Sequence, residues 1–146
     1  MPALWSAALA LAALTAAAPA GADDVRGAQA LLCAATRVIQ CTETARCEGD
    51  GARDMSLPAF IDIDLQARRW GATVASGEKW VVEIQALERA GDLLLLQGQA
   101  RGRTFSFVIH EPTGSGGFTE IGFSPLLGPQ VFVVFGSCTP VPPGRL

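Results

Sequence analysis

The chain has 146 residues, with four Cys, one His, no Tyr and a formal net charge of -3 at pH 7. Its Arg residues and lone Lys79 are scattered, which leaves no basic stripe for nucleic acid and no polybasic patch for a membrane surface. Beyond an apolar leader, the remaining length suits one hydrophobic core and is too short for two.

The leader comes first. Leu4 to Ala18 is a charge-free run of mostly Leu and Ala, closed by Ala20-Gly21-Ala22. It reads as a secretory signal peptide over 1–22, too short to span a bilayer and ending in an A-x-A pattern. Cleavage is expected after Ala22, with Ala20 as the second choice. No Lys or Arg precedes the run, a departure from the usual positive start. Pro19, Gly21, Asp23 and Asp24 interrupt too early for an uncleaved anchor, and no Cys follows either site to carry a lipid.

The mature part then divides into a domain over 23–138 and a Pro-rich tail over 139–146, expected to fray. Asp24 to Leu32 suits a short N-terminal helix capped by Asp23 or Asp24. Arg37 to Thr42 is a first strand. Ile61, Ile63 and Leu65 alternate with Asp62 and Asp64, predicting a strand with one face on a core and one in water. Trp70 to Val74 returns after a turn at Gln66-Ala67-Arg68. Lys79 to Leu87 follows Ser76-Gly77, with Trp80, Val82, Ile84 and Ala86 on one side. The four leucines of Leu93 to Gln97 predict burial on both faces. Phe105, Phe107 and Ile109 alternate with Thr104, Ser106 and His110. After the Pro112–Gly117 loop come Phe118 to Phe123, a break over Pro125–Pro129, and Gln130 to Cys138.

These make about eight antiparallel strands in a meander, an all-β pattern that closes most economically as a small barrel, fully or partly. A membrane barrel is disfavoured, because several strands are short and there are no Tyr girdles.

Four cysteines in a small exported domain predict two disulfides, with three pairings open. The polar segment between Cys41 and Cys47 suits a small closed loop, leaving Cys33 to meet Cys138 and tie the domain's ends together. A zinc or redox site is a poorer reading, because there is no C-x-x-C and one His cannot complete a ligand set.

Catalytic signals are weak. His110-Glu111 sets a base beside a carboxylate, but neighbours on a strand point to opposite faces. Ser106 and Ser124 lack a G-x-S-x-G context. Glu48, Asp50 and Asp54 place carboxylates in one loop without the spacing of an EF-hand, and Gly114-Ser115-Gly116-Gly117 has no following Lys or helix to make a phosphate cradle. No catalytic residue, metal site or cofactor is therefore expected. Trp70, Trp80, Phe105, Phe107, Phe118 and Phe132 supply the interior, which is either packed or holds one small ligand lined by Trp80, Phe105 and Phe107.

Several segments carry a resemblance. They are Cys33-x7-Cys41-x5-Cys47, Phe60 to Leu65, Leu96-Gln97-Gly98 before Gly102-Arg103, Phe105 to Ile109, Glu111-x-Thr113-Gly114 and Phe135-Gly136-Ser137-Cys138. Together the chain resembles a family of small uncharacterised exported proteins of Gram-negative bacteria, which implies a periplasmic location and imports no activity. In architecture alone it is similar to periplasmic barrel inhibitors and lipocalin-like carriers. The expected function is a non-catalytic, inhibitor-like binding module for an envelope protein, with contacts at the loops Cys47–Pro58 and Ser124–Pro129. A carrier of a small apolar ligand is the alternative, and an enzyme using His110 and Glu111 the third reading.

Overall fold

The computed structural model describes residues 23–44, 46–52, 57–73, 76 and 79–146, so the signal-peptide reading at 1–22 lies outside the described residues. Ten strands are formed among the described residues: β1 (Ala30–Thr42), β2 (Cys47–Asp50), β3 (Phe60–Asp64), β4 (Arg69–Ala72), β5 (Val81–Glu83), β6 (Ala86–Ala90), β7 (Leu93–Ala100), β8 (Arg103–His110), β9 (Ser115–Ser124) and β10 (Gly128–Pro140). The fold is all-β, as the alternation predicts.

Every ladder is antiparallel, and the sheet order is β5-β4-β3-β1-β10-β9-β8-β7-β6, with β2 added on β1. Successive strands are neighbours from β3 to β5 and from β6 to β10, and the chain's first strand meets its last. The sheet curls into a half barrel whose two edges, β5 and β6, are separated only by Ile84 and Gln85. Arg68 holds that corner. Its carbonyl accepts the Ile84 N–H at 2.8 Å, and its guanidinium donates to the Ile84 and Gln85 carbonyls at 3.4 and 3.2 Å. A Cβ on Gly98 would lie 2.5 Å from the Phe105 ring and 3.0 Å from the Glu83 carbonyl, so only a hydrogen fits where β5 passes β7.

The concave face is filled from the alternating positions. Leu31, Ile63, Ile84, Leu94, Leu96, Phe107 and Ile109 are buried there around Trp70. Trp70 meets Trp80, Phe105, Phe107 and Phe118 edge-on, with ring centroids 4.9 to 5.2 Å apart, the arrangement the ring quadrupoles favour. Val25 plugs one end, its N–H donating to the Glu111 carbonyl at 2.8 Å.

β1 and β10 form a long hairpin-like pair. Thr36 is an extra residue in β1, a bulge at which the register with β10 shifts, and its hydroxyl donates to the Phe135 carbonyl at 3.0 Å. The bulge moves the inward positions from Leu31, Cys33 and Ala35 to Val38 and Gln40, so one face stays continuous. Beyond it a smaller cluster forms from Val38, Ala52 and Phe132.

Cys33 bonds Cys138 and Cys41 bonds Cys47, in each case between residues directly opposite in register, with Cα atoms 4.0 and 4.1 Å apart. The two disulfides place the chain in an oxidising environment, extracellular or periplasmic.

Several expectations are corrected. There is no helix over Asp24–Leu32: Gly27 has φ +72°, which breaks a helical path, and β1 already begins at Ala30. β1 therefore starts seven residues before Arg37. Asp62 and Asp64 do not face water. Both are buried under the tail, where Arg145 donates to Asp62 at 3.0 Å and the Gly144 N–H to Asp64 at 3.4 Å. The tail is thus docked rather than frayed, and the Val141 N–H adds a bond to the Ala30 carbonyl at 3.0 Å. Among the four leucines only Leu94 and Leu96 are fully buried, while Leu93 is exposed, because β7 is covered on one face alone. Lys79–Leu87 is bent at Ile84-Gln85, which divides it between β5 and β6.

Candidate functional site

Two surfaces of this fold are unusual for their chemistry. The first is the far end of β9 and β10. No charged residue occurs from Ile121 to Gly144, the longest such stretch in the chain. Ile121, Phe123, Leu126 and Leu127 are 53%, 70%, 93% and 56% exposed. Ile121 pairs Val131 and Phe123 pairs Pro129 in register, so these side chains share the convex face of the sheet. The Ser124 hydroxyl accepts the Leu126 and Leu127 N–H groups, each at 3.3 Å, which fixes the turn that presents the leucines. Glu43 lies against Gly128 at its base, and the Arg103 side chain lies against Gly122 between Ile121 and Phe123, so charges of both signs flank the patch. Sequence reasoning placed a contact loop at Ser124–Pro129 but missed Ile121 and Phe123, which read as ordinary strand alternation. The charge-free run is the signal that marks them.

The second is an apolar cavity at the concave face, between the two clusters. It offers about 80 Å³ behind an open mouth and is lined by Ala35, Leu57, Trp70, Trp80, Phe107 and Phe118 among others. The disulfide of Cys33 and Cys138 forms part of its wall. Of the carboxylates, Glu120 reaches it, and its charge is matched by Arg103 at 2.5 Å. Trp70 is buried, and its Nε1–H has no hydrogen-bond partner among the described residues. A buried donor left unpaired costs about 1 to 3 kcal/mol, and the surrounding aromatic faces are weak acceptors.

Of the three residues expected to line a ligand, Trp80 and Phe107 are at this cavity. Phe105 packs against Trp70 and lines instead a shallow polar groove with Gln85, Gln97 and Gln99. Trp70 and Phe118, which sequence reasoning assigned only to the interior, also line the cavity.

His110 and Glu111 are not brought together. The His110 Nδ1 is 2.9 Å from the Thr113 hydroxyl, whereas Glu111 turns inward and accepts from Arg89 Nε at 2.9 Å. Adjacent positions on β8 and its following turn send the two side chains apart. Glu48 and Asp50 lie on exposed β2 rather than in a loop, and Asp54 lies outside the described residues. No group of three His, Cys, Asp or Glu side chains converges on a metal-sized site among the described residues. The Gly114 segment is a tight turn, with Gly114 at φ +65° and β9 beginning at Ser115. At the plugged end Arg26 donates to Asp24, and that hydrogen bond holds the exposed carboxylate down at about 2 from its ordinary 3.8. No helix among the described residues is long and apolar enough to cross a membrane.

Set beside known proteins, the chain matches no family model, no curated protein and no solved structure.

Proposed function

We propose that this chain is an exported, non-catalytic binding module of the periplasm, inhibitor-like in mode, whose β9–β10 end contacts another protein of the envelope. The exposure of Ile121, Phe123, Leu126 and Leu127 within one charge-free stretch of the β9–β10 hairpin carries the reading. Large apolar side chains gathered on one surface mark an interaction site, because leaving them in water is unfavourable at roughly 25 cal/mol per Å². A protein partner is favoured over a lipid surface by charge. The hairpin itself has no Lys or Arg, the one Arg against it, Arg103, is already paired with Glu120, and Glu43 flanks its turn, so no cluster of free cations is offered to an anionic bilayer. The separation of His110 from Glu111 supports the non-catalytic part of the reading. Leader cleavage at 1–22 and kinship with the small exported proteins noted above belong to the same proposal.

The test is site-specific photo-crosslinking in intact cells, with a benzophenone side chain at Leu126 and a control at Arg101 on the β7–β8 turn. A single adduct of defined mass from Leu126, absent from Arg101 and lost when Phe123→Ser is added, supports the reading. Flotation of the purified protein with phosphatidylglycerol–phosphatidylethanolamine vesicles, or an adduct of twice the chain's own mass, overturns it.

A further inference from the structure

The two disulfides share a directly opposed register and differ in their surroundings. Cys33 and Cys138 are 7% and 6% exposed and belong to the main core; β3 flanks the one and the Gly114 turn the other. Only the apolar cavity touches that bond, and a thiolate entering it would lose its hydration. Cys41 is half-buried and Cys47 is exposed, on a β2 that is exposed at all four of its positions. β2 pairs with β1 alone, so its outer edge carries no strand among the described residues. A thiolate in water thus has an open approach to Cys47. Little else holds β2 in place: its four-residue ladder, the Thr42 N–H bond to the Arg46 carbonyl at 3.0 Å, and Ala52, which is buried beside Val38 and Phe132. Exposed ladders with few apolar contacts are the first parts of a fold to open.

We propose that Cys41–Cys47 is a redox-active disulfide that exchanges with a dithiol, and that its reduction releases β2 from β1 while Cys33–Cys138 keeps the half barrel closed. One thiolate of the dithiol bonds to the Cys47 sulfur, and the Cys41 sulfur leaves with the electron pair of the broken S–S bond and takes up a proton. The second thiol of the reagent loses its proton and bonds to the first, so that Cys47 leaves as a thiolate and is protonated in turn. Two electrons and two protons pass from the dithiol to the cysteines, and the reagent ends as a disulfide. A dithiol is favoured over a monothiol by position. Cys41 stays opposite Cys47 on a strand paired to β10, so it would re-attack a mixed disulfide unless a second thiol on the reagent resolved it first. The exchange involves neither Phe123 nor Leu126, so it stands independently of the protein-binding reading.

Dithiothreitol is the probe. The purified protein is equilibrated without oxygen over a range of reduced-to-oxidised dithiothreitol ratios, free thiols are trapped with iodoacetamide, and peptide masses report each cysteine. Loops with sequence separations of 6 and 105 differ roughly 50-fold to 100-fold in the equilibrium for closure, so Cys41–Cys47 should open at a ratio lower by about that factor. At a ratio that opens it alone, hydrogen–deuterium exchange should quicken about tenfold or more over 38–41 and 46–50, and stay unchanged over β7 and β8. Cys41→Ser/Cys47→Ser should reproduce that exchange pattern without reductant, and the wild-type titration stands even if this variant fails to fold. Three results overturn the proposal: both disulfides opening together, Cys33–Cys138 opening first, or β2 keeping its protection once Cys41–Cys47 is reduced.

Discussion

The half barrel and the extension beyond the Thr36 bulge use the same strands in opposite ways. In the half barrel, β1 and β10 meet a full complement of neighbours, and Trp70 is ringed by four aromatic side chains. In the extension, Val38, Ala52 and Phe132 make a small cluster while Phe123 and Leu126 remain in water. Burial is therefore deepest in one region, and the most exposed apolar side chains, Phe123 and Leu126, lie in the other. Stability and contact are separated along the length of two strands, and the bulge keeps the inward face unbroken from one to the other.

The disulfides sharpen this contrast most. Cys33–Cys138 closes a loop with a sequence separation of 105 inside the half barrel, and Cys41–Cys47 one of 6 in the extension. In the chain-entropy account these are worth roughly 4 to 5 and about 2 kcal/mol, so the paired Ser variants should differ by about a factor of two in lost stability. Urea unfolding of Cys33→Ser/Cys138→Ser against Cys41→Ser/Cys47→Ser measures it. Equal losses would mean that the extension is as integral to the fold as the half barrel, and the contrast would fail.

Local alternation made much of the half barrel legible. Phe105, Phe107 and Ile109 face inward as the period of two requires, and His110 parts from Glu111 for the same reason. What the sequence hid were contacts between distant segments. Asp62 and Asp64 look like a wet face until a tail eighty residues later covers them. Lys79 to Leu87 keeps its alternation through Ile84, yet Arg68 captures the Ile84 and Gln85 carbonyls and bends it. Of the candidate site, the Ser124–Pro129 turn was visible in its Pro and Gly. The unpaired Trp70 donor was not, because it depends on how Trp80, two rings of β8 and one of β9 crowd one indole.

The tail provides the next test. Asp62 is buried and its partner Arg145 is nearly half exposed, so the pair is partly screened. Arg145→Ala leaves a buried carboxylate without its partner and should cost about 1 kcal/mol. Adding Asp62→Asn should recover part of that loss, because a neutral amide is cheaper to bury than an unpaired charge. Urea unfolding of the single and double variants reads both effects. No recovery would show that Arg145 acts through packing of the tail and not through its charge.

The smallest effect on stability is expected where exposure is greatest. Leu126 has little area left to lose, since it is 93% exposed, and Phe123 at 70% has only slightly more buried. Leu126→Ser and Phe123→Ser should therefore change unfolding free energy by no more than about 0.5 kcal/mol, as surface substitutions do. Both should also raise solubility, by removing apolar area from the convex face. Melting temperature and precipitation threshold measured on the same samples decide the matter. A large fall in melting temperature would mean that these side chains support the Val38–Phe132 cluster through the sheet. The extension would then be a second stability element, and its apolar hairpin would no longer be surplus to the fold.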